Sequence, residues 1–268
     1  MATTMTRSGR RTSLRTSTLV IGKRGVLKFL RTPQLVALGT IQGALFLVIF
    51  RYVFGGAIGI GGLDYVDFLV PGFITTAVLF LTMDAATGIA EDLEQGFVDR
   101  LRSLPIPRSA ILGGRALADT AVLAWGLTIT AAIGFAVGFR IHGSPVQALG
   151  AFALLVVFGF AFEWMFLTLG MVAGSAQAAQ GFALLVFPLT FVSSAYVPVE
   201  TMPGWLQAVA EHQPITVMVD AVRALTLGPA AASVLEHGQG WYVTRSLLWA
   251  AALVAVFAPL AVARFRRG

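Results

Sequence analysis

The chain has 268 residues, of which 57% are hydrophobic and only 12% charged, and its mean hydropathy is +0.81. A soluble domain carries roughly 25% charged residues, so an ordinary cytosolic enzyme and a disordered chain are both excluded. The absence of cysteine excludes disulfide frameworks and thiolate chemistry, and the net charge of +6 lies beside apolar runs, which points to membrane orientation and not to nucleic acid.

Residues 1–17 read as a basic, Thr/Ser-rich tail without the compact apolar stretch and cleavage site of a signal peptide. Residues 18–32 mix Leu19, Val20, Val26, Leu27, Phe29 and Leu30 with Lys23, Arg24, Lys28 and Arg31, and Pro33 ends them. This pattern predicts an amphipathic helix at the inner membrane surface, or an orientation signal and nothing more.

A membrane helix needs about 20 mostly apolar residues. Charge-free runs, the fourth carried across Glu163 and parted from the fifth at a turn, predict six of them, at 34–50, 68–83, 120–139, 146–173, 178–197 and 246–263. These runs do not alternate as barrel strands do. The expected fold class is therefore an all-α polytopic membrane protein, with its six-helix domain over 33–263 and a short tail at 264–268. The small and polar residues from Gly174 to Gly181 predict a tight turn between the fourth and fifth helices. With the N-terminus inside, fifteen Lys and Arg residues fall on the inner side. Only Arg51, Arg140, Arg223 and Arg245 fall outside. Both termini are thus expected in the cytoplasm of a bacterial-type plasma membrane.

Between the second and third predicted helices, acidic residues come first (Glu91, Asp92, Glu94, Asp99) and basic ones follow (Arg100, Arg102, Arg108). Such an order suits a helix dipole. Phe97, Leu101 and Leu104 make one apolar stripe, and Pro105 and Pro107 stop it. This predicts a short cytoplasmic helix over about 91–105, shaped either to dock on another protein or to stay a solvated hairpin. On the outer side, 200–227 is too polar to span and too apolar for a free loop. Pro203 with Trp205 starts one short helix and Pro214 another. They are expected to dip into the outer leaflet and return, or to lie flat at the interface.

No G-x-x-x-x-G-K-[ST] occurs, so the chain is not expected to hydrolyse ATP itself. No G-x-S-x-G or H-E-x-x-H occurs either, and no catalytic or metal site is expected. His142, His212 and His237 read as surface residues. Glu163 falls deep in the fourth predicted helix, where a bare carboxylate costs about 2.5–3.5 kcal/mol. It is either a polar point on a translocation path or a structural hydrogen bond. Together with Phe166, Phe187 and Phe191 it forms the set assigned to a path for a greasy substrate. Asp84 lies toward the inner end of the second helix, and Arg115 and Asp119 are spaced to pair on the third. Gly134/Gly138 and Gly170/Gly174 match the G-x-x-x-G packing pattern.

Three stretches carry a resemblance. They are EDLEQGFVDRLRSLPIPRSAILGGRAL from Glu91, FVSSAYVPVETMPGWL from Phe191 and HQPITVMVDAVRAL from His212. Together, and in this order, they resemble the membrane subunits of ABC-2 type transporters, in particular daunorubicin-resistance-like multidrug permeases. The resemblance implies that two six-span subunits, identical or paralogous, line one pathway. Two copies of a separate ATP-binding subunit, with ATP and magnesium, would drive it, leaving no cofactor on this chain. Glu91, Glu94, Gly96, Arg100, Leu101, Arg102 and Pro105 would form the coupling contact, shared by the N-terminal helix. Pro203, Trp205, Pro214, Asp220 and Arg223 would belong to re-entrant helices capping the exit. The competing expectations are a proton-coupled secondary transporter using Glu163, Asp84 or Asp119, and a non-transporting membrane scaffold.

Overall fold

A computed structural model of the protein describes residues 20, 22–23, 26–27, 43–55, 63–97 and 108–267. The tail at 1–17, most of the segment 18–32, and Arg100, Leu101, Arg102 and Pro105 lie outside the described residues. Among the described residues the architecture is all-helical. Helix α1 is Gly43–Val53, α2 is Tyr65–Glu94 and α3 is Arg108–Ala136. Then follow α4 (Pro145–Ala173), α5 (Ala176–Leu184), α6 (Phe187–Phe191), α7 (Gly204–Ala210), α8 (Pro214–Leu227) and α9 (Gln239–Arg267). Five stretches are long and apolar enough to cross a membrane: Tyr65–Glu94, Ile111–Ala136, Pro145–Ala173, Pro214–Ser233 and Gln239–Phe265.

Helices α2 and α4 form the centre and run side by side in the same direction. A Cβ on Gly170 would stand 2.2 Å from the Ala86 carbonyl oxygen, and one on Gly159 would meet Val78 at 3.2 Å. Small residues at these points let the backbones approach, which is how helices pack when no water drives them together. Helix α3 runs the opposite way beside them, with Gly134 against Val70 and Gly126 against Leu81. Helix α9 flanks α4, where Thr168 Oγ1 donates to the Phe257 carbonyl at 3.1 Å. Most of α3 and α9 is open on the apolar exterior of the chain, as lipid-facing helices are.

Local signals set the helix ends. Ser144 accepts from the Gln147 amide while Gln147 reaches back to the Ser144 amide, a reciprocal cap with Pro145 in the first turn. Gly174 closes α4 at φ +78°, and Ser175 caps α5 through the Ala178 amide. The turn expected near Gly174 is therefore present.

Three features differ from the sequence-based expectations. First, the helix expected over 178–197 is broken into α5 and α6. Pro188, in the first turn of α6, has no amide to donate and crowds the preceding turn. Second, α2 continues to Glu94 and ends in a turn at Gly96 with φ +64°. Glu91 and Glu94 thus close a long helix where a new one was expected to start. Their charges meet the negative end of the α2 dipole, against the expected pairing. Third, α9 is helical to Arg267, past the expected end of the sixth span at 263.

Candidate functional site

The two short helices expected near the exit are α7 and α8. Pro203 is the residue before α7, Trp205 projects from it with 74% exposure, and Pro214 opens α8. The last turn of α8 meets the α3–α4 connection, where the His142 and Gly143 amides donate to the Thr226 carbonyl at 2.9 and 3.0 Å. Nearer its start, the Val217 carbonyl accepts from Ser246 Oγ of α9 at 3.1 Å.

Asp220 and Arg223 do not sit in a loop. Arg223 is 1% exposed. Its Nη1 donates to Asp220 Oδ1 at 2.8 Å, and its Nη2 donates to the carbonyls of Ser194 at 2.9 Å and Phe68 at 3.1 Å. Ser194 Oγ adds a 2.7 Å bond to the same Asp220 oxygen. A buried ion pair is tolerated only with this degree of hydrogen bonding. The pair ties α8 to the start of α2 and to the strand of chain after α6. Arg223, counted among the outer charges from sequence, is a core clamp. Its partner Ser194 was within the quoted FVSSAYVP stretch, but nothing in the spacing announced the contact.

Below this clamp lies a line of rings. Phe80 of α2 meets Phe187 of α6 at 5.6 Å, Phe187 meets Phe191 at 5.1 Å, and Phe191 meets Tyr196 at 5.2 Å. Tyr196 then stacks on Phe50 of α1 at 5.0 Å. Phe80 and Phe191 are exposed on the face of the chain. Asp84, one turn from Phe80, is exposed on that face too. A carboxylate is a poor lipid contact at this depth, so the face is suited to a polar cavity or a second subunit. Of the predicted path set, Phe187 and Phe191 belong to this line. Glu163 and Phe166 do not: both are buried in the chain's own core, Glu163 at 1% exposure. The rings of Phe80 and Tyr196 were missed from sequence, because ring-to-ring contact depends on which helices adjoin.

At the other end of α2, Glu94 Oε1 accepts from the Ala176 amide at 3.2 Å, capping α5. Asp92 binds Arg115 Nη1, and Arg115 Nε lies 3.4 Å from Asp119 Oδ2. These contacts compensate the acids that close α2. Arg115 and Asp119 pair as their spacing predicts, with Asp92 as an additional partner. Glu91 and Gly96 stand in the same terminal turns. Among the described residues no cluster of ionisable side chains has the geometry to hold a metal ion.

Comparison with known proteins identifies what this arrangement belongs to. The family described as "ABC-2 type transporter" matches residues 16–227. The daunorubicin resistance ABC transporter permease protein DrrB1 of Streptomyces coeruleorubidus is 36% identical over 245 residues, covering 91% of this chain and 83% of that protein. The probable doxorubicin resistance ABC transporter permease protein DrrC of Mycobacterium tuberculosis (strain ATCC 25618 / H37Rv) is 28% identical over 232 residues, covering 83% of this chain and 80% of its own. The probable multidrug ABC transporter permease YbhR of Escherichia coli (strain K12) is 28% identical over 182 residues, covering 65% of this chain and 47% of its own. With its long apolar helices and this match along most of its length, the chain belongs to the ABC-2 type transporter membrane family and is a multi-pass membrane permease.

Proposed function

We propose that this chain is the membrane subunit of an ATP-driven exporter of lipophilic, drug-like or lipid substrates. The observation that carries the reading is the family match over 16–227 in a chain that lacks a phosphate-binding loop of its own. A permease without a motor takes its work from a separate ATP-binding subunit, which holds ATP and magnesium. Two motors and two permeases, identical or paralogous, make the complex. Six membrane crossings arise if α1 and the broken α5–α6 pair each cross once and the segment 200–227 returns to the outer face. The N- and C-termini then lie in the cytoplasm, in keeping with the Lys and Arg bias.

In this scheme the segment 91–105 touches the motor. Glu94 links that segment to α5, so a push on it is delivered to the α5–α6 pair and the ring line above it. Nucleotide shifts the permease only by its differential affinity for the two states of the complex. An aromatic or aliphatic substrate enters from the inner leaflet or cytoplasm and leaves along Phe80, Phe187 and Phe191, below the cap formed by Pro203, Trp205 and Pro214.

The test is co-purification with an ATP-binding subunit. Arg100→Glu with Arg102→Glu is expected to weaken that association and abolish ATP-dependent export, with membrane insertion intact. Unchanged association and export would refute the coupling role. Nucleotide hydrolysis by the isolated chain would refute the whole reading.

A further inference from the structure

Helix α9 opens on a stack of three side chains that the transport scheme leaves unused. The Trp241 indole lies against the His237 ring, with 4.0 Å between centroids and 16° between planes. The guanidinium carbon of Arg245 lies 4.6 Å from the centre of the Trp241 ring. His237 comes from the turn before Trp241 and Arg245 from the turn after, so the indole is flanked by an imidazole and a guanidinium. Trp241 and His237 are exposed, and Arg245 is part-exposed. Leu248 and Val256 continue the same stripe of α9 and are 64% and 53% exposed. The stack therefore stands at the head of an open apolar face.

Charge fixes the depth of this stack. Residues 246–263 are free of charge, with Arg245 before them and Arg264 after. At about 1.5 Å of rise per residue they span roughly 27 Å, close to a hydrocarbon core about 30 Å thick. Arg245 thus sits where hydrocarbon gives way to phosphate, and Trp241 lies one turn nearer water, the level at which Trp collects in membrane proteins. No acid of the chain answers this cation. Among the described residues Arg245 has its contact with Trp241 and no ion pair. Asp220 is taken by Arg223 and Ser194, and Asp67 by His142. Gln147 at the start of α4 binds Gln239 at 2.7 Å, so α9 begins at the end of the bundle where α4 begins. Asp99, the one acidic side chain outside the described residues, follows the far end of α2. The counterion must therefore come from outside the chain.

We propose that Arg245, Trp241 and His237 bind the phosphate of an anionic phospholipid, whose acyl chains lie along Leu248 and Val256. The guanidinium fork matches phosphate oxygens while its flat face rests on the indole. The exposed imidazole adds a second donor from the water side. With the indole already flanked, no open ring face is left to hold a choline ammonium. The site therefore favours phosphatidylglycerol over phosphatidylcholine. This inference rests on the chain's place in a membrane and not on what it transports.

The absence of native cysteine lets a single label report on this face. Leu248 lies one turn from Arg245 on the hydrocarbon side, so Leu248→Cys carries a nitrobenzoxadiazole fluorophore. The labelled full-length chain is placed in phosphatidylcholine nanodiscs. These hold a small fraction of phosphatidylglycerol or phosphatidylcholine with a nitroxide near the headgroup end of one acyl chain. Quenching by the phosphatidylglycerol probe is expected to exceed that by the phosphatidylcholine probe severalfold, and the excess to shrink in high salt. Arg245→Gln is expected to bring the two probes level, and Arg245→Lys to keep part of the difference. Should Arg245→Gln fail to assemble, Arg245→Lys and the salt series decide, and a difference that neither alters overturns the site. Equal quenching with Arg245 in place overturns it too. A preference that persists in Arg245→Gln overturns its assignment to this residue. Quenching by neither probe shows that protein covers the face and overturns the lipid as its occupant.

Discussion

The guanidinium carbon of Arg223 lies 3.6 Å from the centre of the Phe68 ring, and Nη2 of the same group donates to the Phe68 carbonyl at 3.1 Å. One residue of α2 thus holds the cation by its ring face and by its backbone. With Asp220 and Ser194, the contact ties three separate parts of the chain together. Arg223→Ala strips Asp220 of its counterion in a buried site and is expected to cost about 3–5 kcal/mol. Thermal unfolding of the purified protein in detergent measures this. Arg223→Lys is expected to recover little, because a point charge cannot serve three acceptors and a ring from one plane. Wild-type stability in Arg223→Ala would remove the clamp.

Gly170 offers a packing test. Its missing Cβ would collide with the Ala86 carbonyl oxygen, which belongs to backbone and cannot turn aside. Gly170→Ala is expected to lower stability by about 1–3 kcal/mol, the range for overpacked cores. Gly181 has nothing within 4 Å of its Cβ position and lies inside α5. Gly181→Ala is expected to be neutral or to stabilise by up to ~1 kcal/mol through helix propensity. The two melting temperatures should move in opposite directions or not at all for Gly181.

Glu94 is expected to matter more for transport than for folding. Its bond to the Ala176 amide is exposed, so removing it in Glu94→Ala should cost about 1 kcal/mol or less. ATP-driven export by complexes of equal motor content should nevertheless fall severalfold, since in the proposed scheme α5 loses its tie to the segment assigned to the motor. Unaltered export would make the cap purely structural.

The ring line predicts a change in substrate affinity. Phe191→Ala removes the Phe187 and Tyr196 contacts and one exposed ring. An aromatic pair is worth about 0.5–1.5 kcal/mol, so KM for an aromatic substrate should rise by up to about tenfold. The kcat should change less. Equal KM values for Phe191→Ala and wild type would place the substrate elsewhere.

The motifs beginning at Glu91, Phe191 and His212 were enough to place the family, because they are local strings that survive without a fold. The sites were less legible. The acids at 91–94 looked like a helix start, since propensity and charge order are blind to a helix arriving from upstream. Phe166 looked like a path residue, although α4 turns it into the core. Phe80 carried no signal at all until α6 was brought against α2.

Composition and apolar run length determined that this is a helical membrane protein, because hydrocarbon leaves the backbone no partner but itself. Local chemistry also determined the caps at Ser144, Gly174 and Ser175, since each involves neighbours within a few residues. Only tertiary structure decided which charges meet. Asp92 with Arg115, Arg223 with Ser194 and Arg223 with Phe68 are pairs between segments far apart in the chain. Helix order and rotation choose such partners, and the energy that selects them exists only once the helices have packed.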